Sequence, residues 1–216
     1  MGRATHDRAV DRVAGSIRAE ILSGGLGAGS PVRETAAAER YGVSRHTVRA
    51  ALQQLAAERL VVIEPYRGAR VARFGPDEIR ALQELRAAVE VEAVRLAHER
   101  AGADWPADAV RRAEGALARL DELAVDEAAG REVDWLEVER VHLEFHRALV
   151  SASGSPRIIE THDALGGEML LFLLRVRPHY TPAALAAEHR ALLDDARARG
   201  GDAVRAHLEH SMSLLA

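Results

Sequence analysis

The chain has 216 residues, no cysteine, 48% hydrophobic residues and a formal net charge of −4. That length allows one large domain or two modest ones with their own cores, and the lack of cysteine excludes disulfides, thiolate metal sites and a cysteine nucleophile. The charged start MGRATHDRAVDR has no apolar signal core, and the longest apolar run, MLLFLL at 169–174, is too short to span a bilayer, so a soluble cytoplasmic protein with no membrane partner is expected.

Charge is unevenly placed. Residues 1–74 hold 12 Arg against 7 Asp and Glu, whereas residues 75–216 hold 17 Arg against 26 acids. A basic first third joined to an acidic remainder predicts two domains, 1–74 and 75–216, with different partners. The basic charge is all arginine, whose forked donors suit phosphate and guanine edges.

The first element, DRVAGSIRAEIL, sets Val13, Ile17, Ile21 and Leu22 on one helical stripe and stops in a Gly-rich loop with Pro31. A short Ala-rich helix follows from about Arg33 to Tyr41, ended by Gly42. Ser44 is a good N-cap for a third helix reaching about Arg59. Along it Val48, Leu52 and Leu55 recur at i, i+4 and i+7 and face a core. The β-branched run Val61, Val62 and Ile63, a turn from Pro65 to Gly68, and Val71 read as a short hairpin.

Helix, helix, tight turn, helix, hairpin is the order of a winged helix-turn-helix. Ala38 would supply a small residue for helix contact, Gly42 the turn, and Val48 the aliphatic pin. With Val48 and Leu52 inward, Arg45, His46, Thr47 and Arg49 are expected to face outward at the leading end of the third helix, where a recognition helix meets DNA. Ser44 stands near the positive end of the helix dipole and could meet a phosphate. Arg67, Gly68 and Arg70 would form a wing over the DNA backbone or minor groove.

Past Phe74 the pattern is helical, with helices expected at about 76–101, 106–128, 132–153, 156–176, 181–199 and 202–215. The fold class is therefore mainly α: a winged domain with a small hairpin, then an all-α bundle able to hold a ligand between its helices. His142 and His146 share one helix face, His189 lies on a later helix, and His207 and His210 lie on the last. Imidazoles from three helices could close a site for Zn²⁺, Ni²⁺ or a similar ion. His6, His98, His162 and His179 are read as ordinary hydrogen-bonded histidines.

The run from IRAEILSGGLGAGSPVRE through GVSRHTVRAALQQL to YRGARV resembles the DNA-binding domain of GntR-family bacterial regulators. The resemblance implies that Arg45, Thr47 and Arg49 are the main DNA contacts, assisted by Arg33 and Gly68. His46 stands where the family often has Thr or Pro. The remainder resembles the helical effector-binding domain, FCD, of the FadR subgroup, through ELRAAVEVEAVRLAHERA, FHRALVSASGSPRI and EHRALLDDARARGGD…HLEHS. Many such domains hold a divalent metal through one Asp and three His. Here the Asp position is His142, and the other ligands map to His146, His189 and His207, with His210 in reserve. Arg86 resembles a first-helix Arg that points to a carboxylate effector; it could equally pair with Glu90 at i+4, and Glu90 could instead sit behind the ligands.

The expected protein is thus a homodimeric, ligand-responsive transcription regulator on an inverted-repeat operator, with a divalent metal, Zn or Ni, assisting a small-carboxylate effector. An alternative is a metal-free pocket for an acyl thioester or other organic ligand. An enzyme is not expected. A di-iron bundle needs two Glu-x-x-His pairs, and only Glu139 with His142 supplies one; no Ser/His/Asp set or Gly-rich phosphate loop stands out.

Overall fold

A computed structural model describes residues 2–64 and 68–214, with side chains described from residue 8 onward. The chain divides into two compact units, Met1–Gly75 and Pro76–Ala216.

In the first unit helix α1 (Gly2–Leu22) packs on α3 (Arg45–Ala57), and α2 (Glu34–Tyr41) packs across α3. The predicted stripe of Val13, Ile17, Ile21 and Leu22 is buried, facing Val48, Leu52 and Leu55 of α3. Gly42 takes φ 63°, ψ 39°, the left-handed conformation in which a side chain is strained. The buried position on α2 is Ala37, whereas Ala38, the expected site of helix contact, is only half-buried.

Strands β2 (Val61–Glu64) and β3 (Gly68–Val71) form the expected antiparallel hairpin, with Val61 opposite Val71. A third strand was not foreseen. β1 (Pro31–Val32) pairs with β3 through Pro31 opposite Arg70 and Val32 opposite Ala69. Proline is tolerated on such an edge because its missing N–H faces outward.

At the start of α3 the Ser44 side chain accepts from the Thr47 N–H at 3.1 Å. That cap satisfies one orphan donor. Ser44→Ala should lower the unfolding free energy by about 1 kcal/mol, read from a urea titration; an unchanged midpoint would mean that another group caps the helix.

The second unit is helical: α4 (Pro76–Arg86), a π turn (Ala87–Val91), α5 (Glu92–Ala101), α6 (Ala107–Ala128), α7 (Trp135–Ser151), α8 (Pro156–Asp163), α9 (Gly166–Val176), α10 (Pro182–Arg199) and α11 (Gly201–Ser213). Two predicted helices are therefore divided. The helix expected over 76–101 carries the π turn, and the one over 156–176 breaks at Ala164 and Leu165. Neither break has a proline, so periodicity alone ran through both.

α6, α7 and α10 build the core, with Leu117 and Leu120 from α6, Val138, Val141, Phe145 and Leu149 from α7, and Leu185, Leu192 and Leu193 from α10. Gly201 opens α11 against the π turn. A Cβ there would lie 2.7 Å from the Val91 carbonyl oxygen, so the close approach requires glycine.

Candidate metal centre and nucleic-acid interface

The buried stripe of α7 runs Val138, Val141, His142, Phe145, His146 and Leu149, so the two histidines occupy core positions rather than solvent positions. α10 contributes His189 and α11 contributes His207. One ligand atom from each of His142, His146, His189 and His207 falls within 4.8 Å of the others. His146 Nε2 and His142 Nε2 stand 3.2 Å apart. Nitrogens about 2.0–2.1 Å from a tetrahedral zinc stand roughly 3.3 Å from one another, and opposite ligands of a six-coordinate ion about 4.2 Å. The spacing therefore fits one shared ion after small inward movements. Phe145 packs edge-on against His146 and His189, with centroids at 5.6 and 5.0 Å, and limits their tilt.

The tautomers follow from what lies behind each ring. His146 Nδ1 donates to Glu90 Oε2 at 2.9 Å. His189 Nδ1 donates to the Leu185 carbonyl at 2.8 Å. His207 Nδ1 lies 3.0 Å from Glu188 Oε1. With Nδ1 protonated, each Nε2 keeps a bare lone pair, the arrangement by which outer partners orient metal-binding histidines. The His189 Nε2 is buried with no hydrogen-bond partner.

The electrostatics favour neutral imidazoles. Burial pushes His142 and His189 well below the ordinary histidine value, reinforced by neighbouring histidines. Burial also lowers His146, to about 4, against the pull of Glu90. Burial alone would raise the Glu90 carboxyl, yet Arg86 and His146 outweigh it and hold it well below its usual range. The positive charge of this cluster thus sits on Arg86, whose Nε donates to Glu90 Oε1 at 2.7 Å. Neutral imidazole is the form that binds a metal.

Arg86 is fully buried, engaged by Glu90 and 3.4 Å from Gln83 Oε1. Both readings of Glu90 raised by the sequence coexist: it pairs with Arg86 and backs His146. Between the last-helix candidates, His207 enters the cluster while His210 is exposed.

His162 corrects an expectation. Instead of an ordinary hydrogen-bonded histidine it is buried on α8, with its Nε2 3.6 Å from Glu90 Oε1, longer than a normal hydrogen bond. Glu188 has no sequence signal for this site, and Glu139, paired with His142 in the sequence only as a Glu-x-x-His set, is buried beside it. Glu139 could have been found from the α7 stripe, because it stands one turn before His142 and seven residues before His146, at the edge of the same face.

In the first unit Arg33, Ser44, Arg45, His46, Arg49 and Gly68 are exposed. Arg67 lies outside the described residues. Thr47 does not face outward: it is buried, and its hydroxyl lies 2.9 Å from Ser44 Oγ. It shares the inward side with Val48, Ala51 and Leu55, since a residue four before Ala51 lies over the same face. Arg49 forks onto Glu34 at 2.9 and 2.8 Å, an interaction that lowers the Glu34 carboxyl. Gln53 is also exposed, on the same side of α3 as Arg45, His46 and Arg49.

Two family descriptions match the chain. Residues 9–71 match the bacterial regulatory proteins of the gntR family, and residues 81–213 match the FCD domain. The chain is 33% identical over 204 residues to BphR, an uncharacterized HTH-type transcriptional regulator of Paraburkholderia xenovorans, covering 92% of this chain and 82% of that protein. It is 30% identical over 149 residues to the HTH-type transcriptional repressor GlaR of Escherichia coli, covering 69% of this chain and 65% of that one. A crystal structure described as a GntR transcriptional regulator from Rhodococcus sp. RHA1 superposes with a TM-score of 0.73 at 27% identity, covering 95% and 96% of the two chains.

Proposed function

Since this chain belongs to the GntR family of bacterial transcription regulators and carries an FCD domain, we propose that it is a ligand-responsive cytoplasmic repressor or activator whose effector site is built on a four-histidine metal centre. The observation that carries this reading is the convergence of His142, His146, His189 and His207, three of them backed at Nδ1. Imidazole donors suit zinc or nickel, among other ions. An ion bound there offers coordination positions to the oxygen atoms of a small carboxylate. Arg86, beside His146, supplies a positive charge toward that ligand, while Glu90 holds both side chains in place.

In the winged unit Arg45, His46 and Gln53 reach base edges in the major groove, and Arg33, Ser44, Arg49, Arg67 and Gly68 serve the backbone and wing. Thr47 positions Ser44. Arg49 exchanges Glu34 for phosphate, which adds a cost that a free arginine would not carry. A homodimer joined through the helical units places two recognition helices on an inverted repeat. The effector acts by binding one dimer geometry better than the other. Among the described residues no helix is long and apolar enough to cross a membrane.

Binding to duplexes selected from a random pool tests the reading. A distinct inverted-repeat site should emerge, and Arg45→Ala should weaken it by about 10- to 100-fold, the 1–3 kcal/mol of one base-reading contact. Equal affinity for the selected site and competitor DNA would sink the proposal.

A further inference from the structure

Two of the four histidines have a hydrogen-bonded anchor behind the ring, Glu90 and the Leu185 carbonyl, and a third, His207, has the Glu188 carboxylate 3.0 Å from its Nδ1. The fourth has neither. His142 points Nε2 at His146, and its Nδ1 is buried with no hydrogen-bond partner. One helical turn earlier on α7, Glu139 is also buried, and its Oε1 is likewise without a partner. The two side chains line one small cavity, closed by Trp135, Arg177, Tyr180 and Leu185. Its volume is about 10 Å³, close to the 10–15 Å³ or so that one water requires.

His142 and Glu139, each with a buried polar atom lacking a partner, thus border the same water-sized cavity, and once His142 Nε2 is bare toward an ion its hydrogen must sit on Nδ1. Resting on the metal reading above, we propose that Glu139 is the positioning partner of His142, accepting through one buried water the hydrogen on His142 Nδ1. The bridge directs the His142 Nε2 lone pair toward the shared ion. It also returns a carboxyl group to the neighbourhood of a ligand position where resemblance places an Asp and this chain has an imidazole.

Supporting chemistry comes from three directions. Metal-binding histidines nearly always donate their second N–H, and an Asp ligand has none to place. A buried carboxyl oxygen without a direct partner is costly, so its presence beside the two histidines on the buried face of α7 calls for a role. Burial pushes the Glu139 carboxyl up to about 8, opposed by Arg177, as befits an acid that the surrounding side chains leave unmatched. Arg177 itself lies over the Trp135 ring at 4.8 Å.

Zinc affinity of the full chain, measured by competition with a chromophoric chelator, tests the assignment. Glu139→Leu should bind zinc about 10- to 100-fold more weakly than wild type, the loss expected for an outer partner. Glu139→Gln keeps an accepting oxygen and should lose less. On a His142→Asp background the Glu139→Leu change should cost less than about twofold, because an Asp ligand has no N–H to orient and the two sites no longer couple. The thermal midpoint of metal-free Glu139→Leu should match or exceed that of wild type, since a buried unmatched carboxyl is removed. Wild-type affinity in Glu139→Leu, or an equal loss in both backgrounds, overturns the proposal while leaving the metal centre standing. A wild-type protein that binds no zinc overturns both.

Discussion

Purified without added metal or a histidine tag, the protein is expected to carry about one divalent ion per chain, and His146→Ala to lose it. Loss of an outer partner weakens metal binding by roughly 10- to 100-fold, so deleting a ligand should exceed about 100-fold. His146 is the right target because its Nε2 faces His142 at 3.2 Å while its Nδ1 is held by Glu90. The variant should fold, since Glu90 keeps its 2.7 Å contact to Arg86. His210→Ala, on an exposed residue of α11, is the control and should retain the ion. Elemental analysis reads the result. If neither the purified protein nor protein incubated with Zn²⁺ or Ni²⁺ holds an ion, the four-imidazole reading fails, and larger metal-free ligands such as acyl thioesters become the effectors to test.

The metal-free protein should also lose stability as pH falls from about 6.5 to 4. Burial lowers the folded pKa of His146 to about 4 from an ordinary 6.5. Between those values the unfolded chain takes up a proton that the folded chain refuses, so the unfolding free energy falls with falling pH. For His146 alone the loss is about 3 kcal/mol. His142 and His189, lowered in the same direction, add to it. In thermal scans the midpoint of the helical unit should drop by at least about 6–12 °C between pH 7.5 and 4. Zinc at about 100 times its dissociation constant should raise stability at neutral pH by about 2.7 kcal/mol, and protons should compete with it as the pH is lowered. A midpoint independent of pH over this range would mean that the imidazoles are solvated rather than buried.

How much was legible beforehand differs between the two units. In the winged unit Val48, Leu52 and Leu55 fell on the expected inward face, and Gly42 took the backbone conformation that ends α2. The differences are rotations of about one position: Ala37 rather than Ala38 is the buried residue of α2, and Thr47 turns inward beside Ser44. Helical periodicity assigns a face to within about a residue, which is too coarse to separate a groove contact from a cap partner.

In the helical unit the sequence by itself determined the ligand candidates. His142 and His146 are four apart on one helix, and the order of the remaining helices left few other histidines. It determined the helical, amphipathic character of the unit for the same reason: the period of apolar residues is a local property of the chain. Only the tertiary structure decided that His207 rather than His210 joins the cluster, that His162 approaches Glu90, and that Glu139 shares a water-sized cavity with His142. Those outcomes depend on the crossing of α7, α8, α10 and α11 and on the π turn that aims Glu90. Contacts between helices far apart in sequence have no period to reveal them, and a shift of one residue in register would have brought different side chains together.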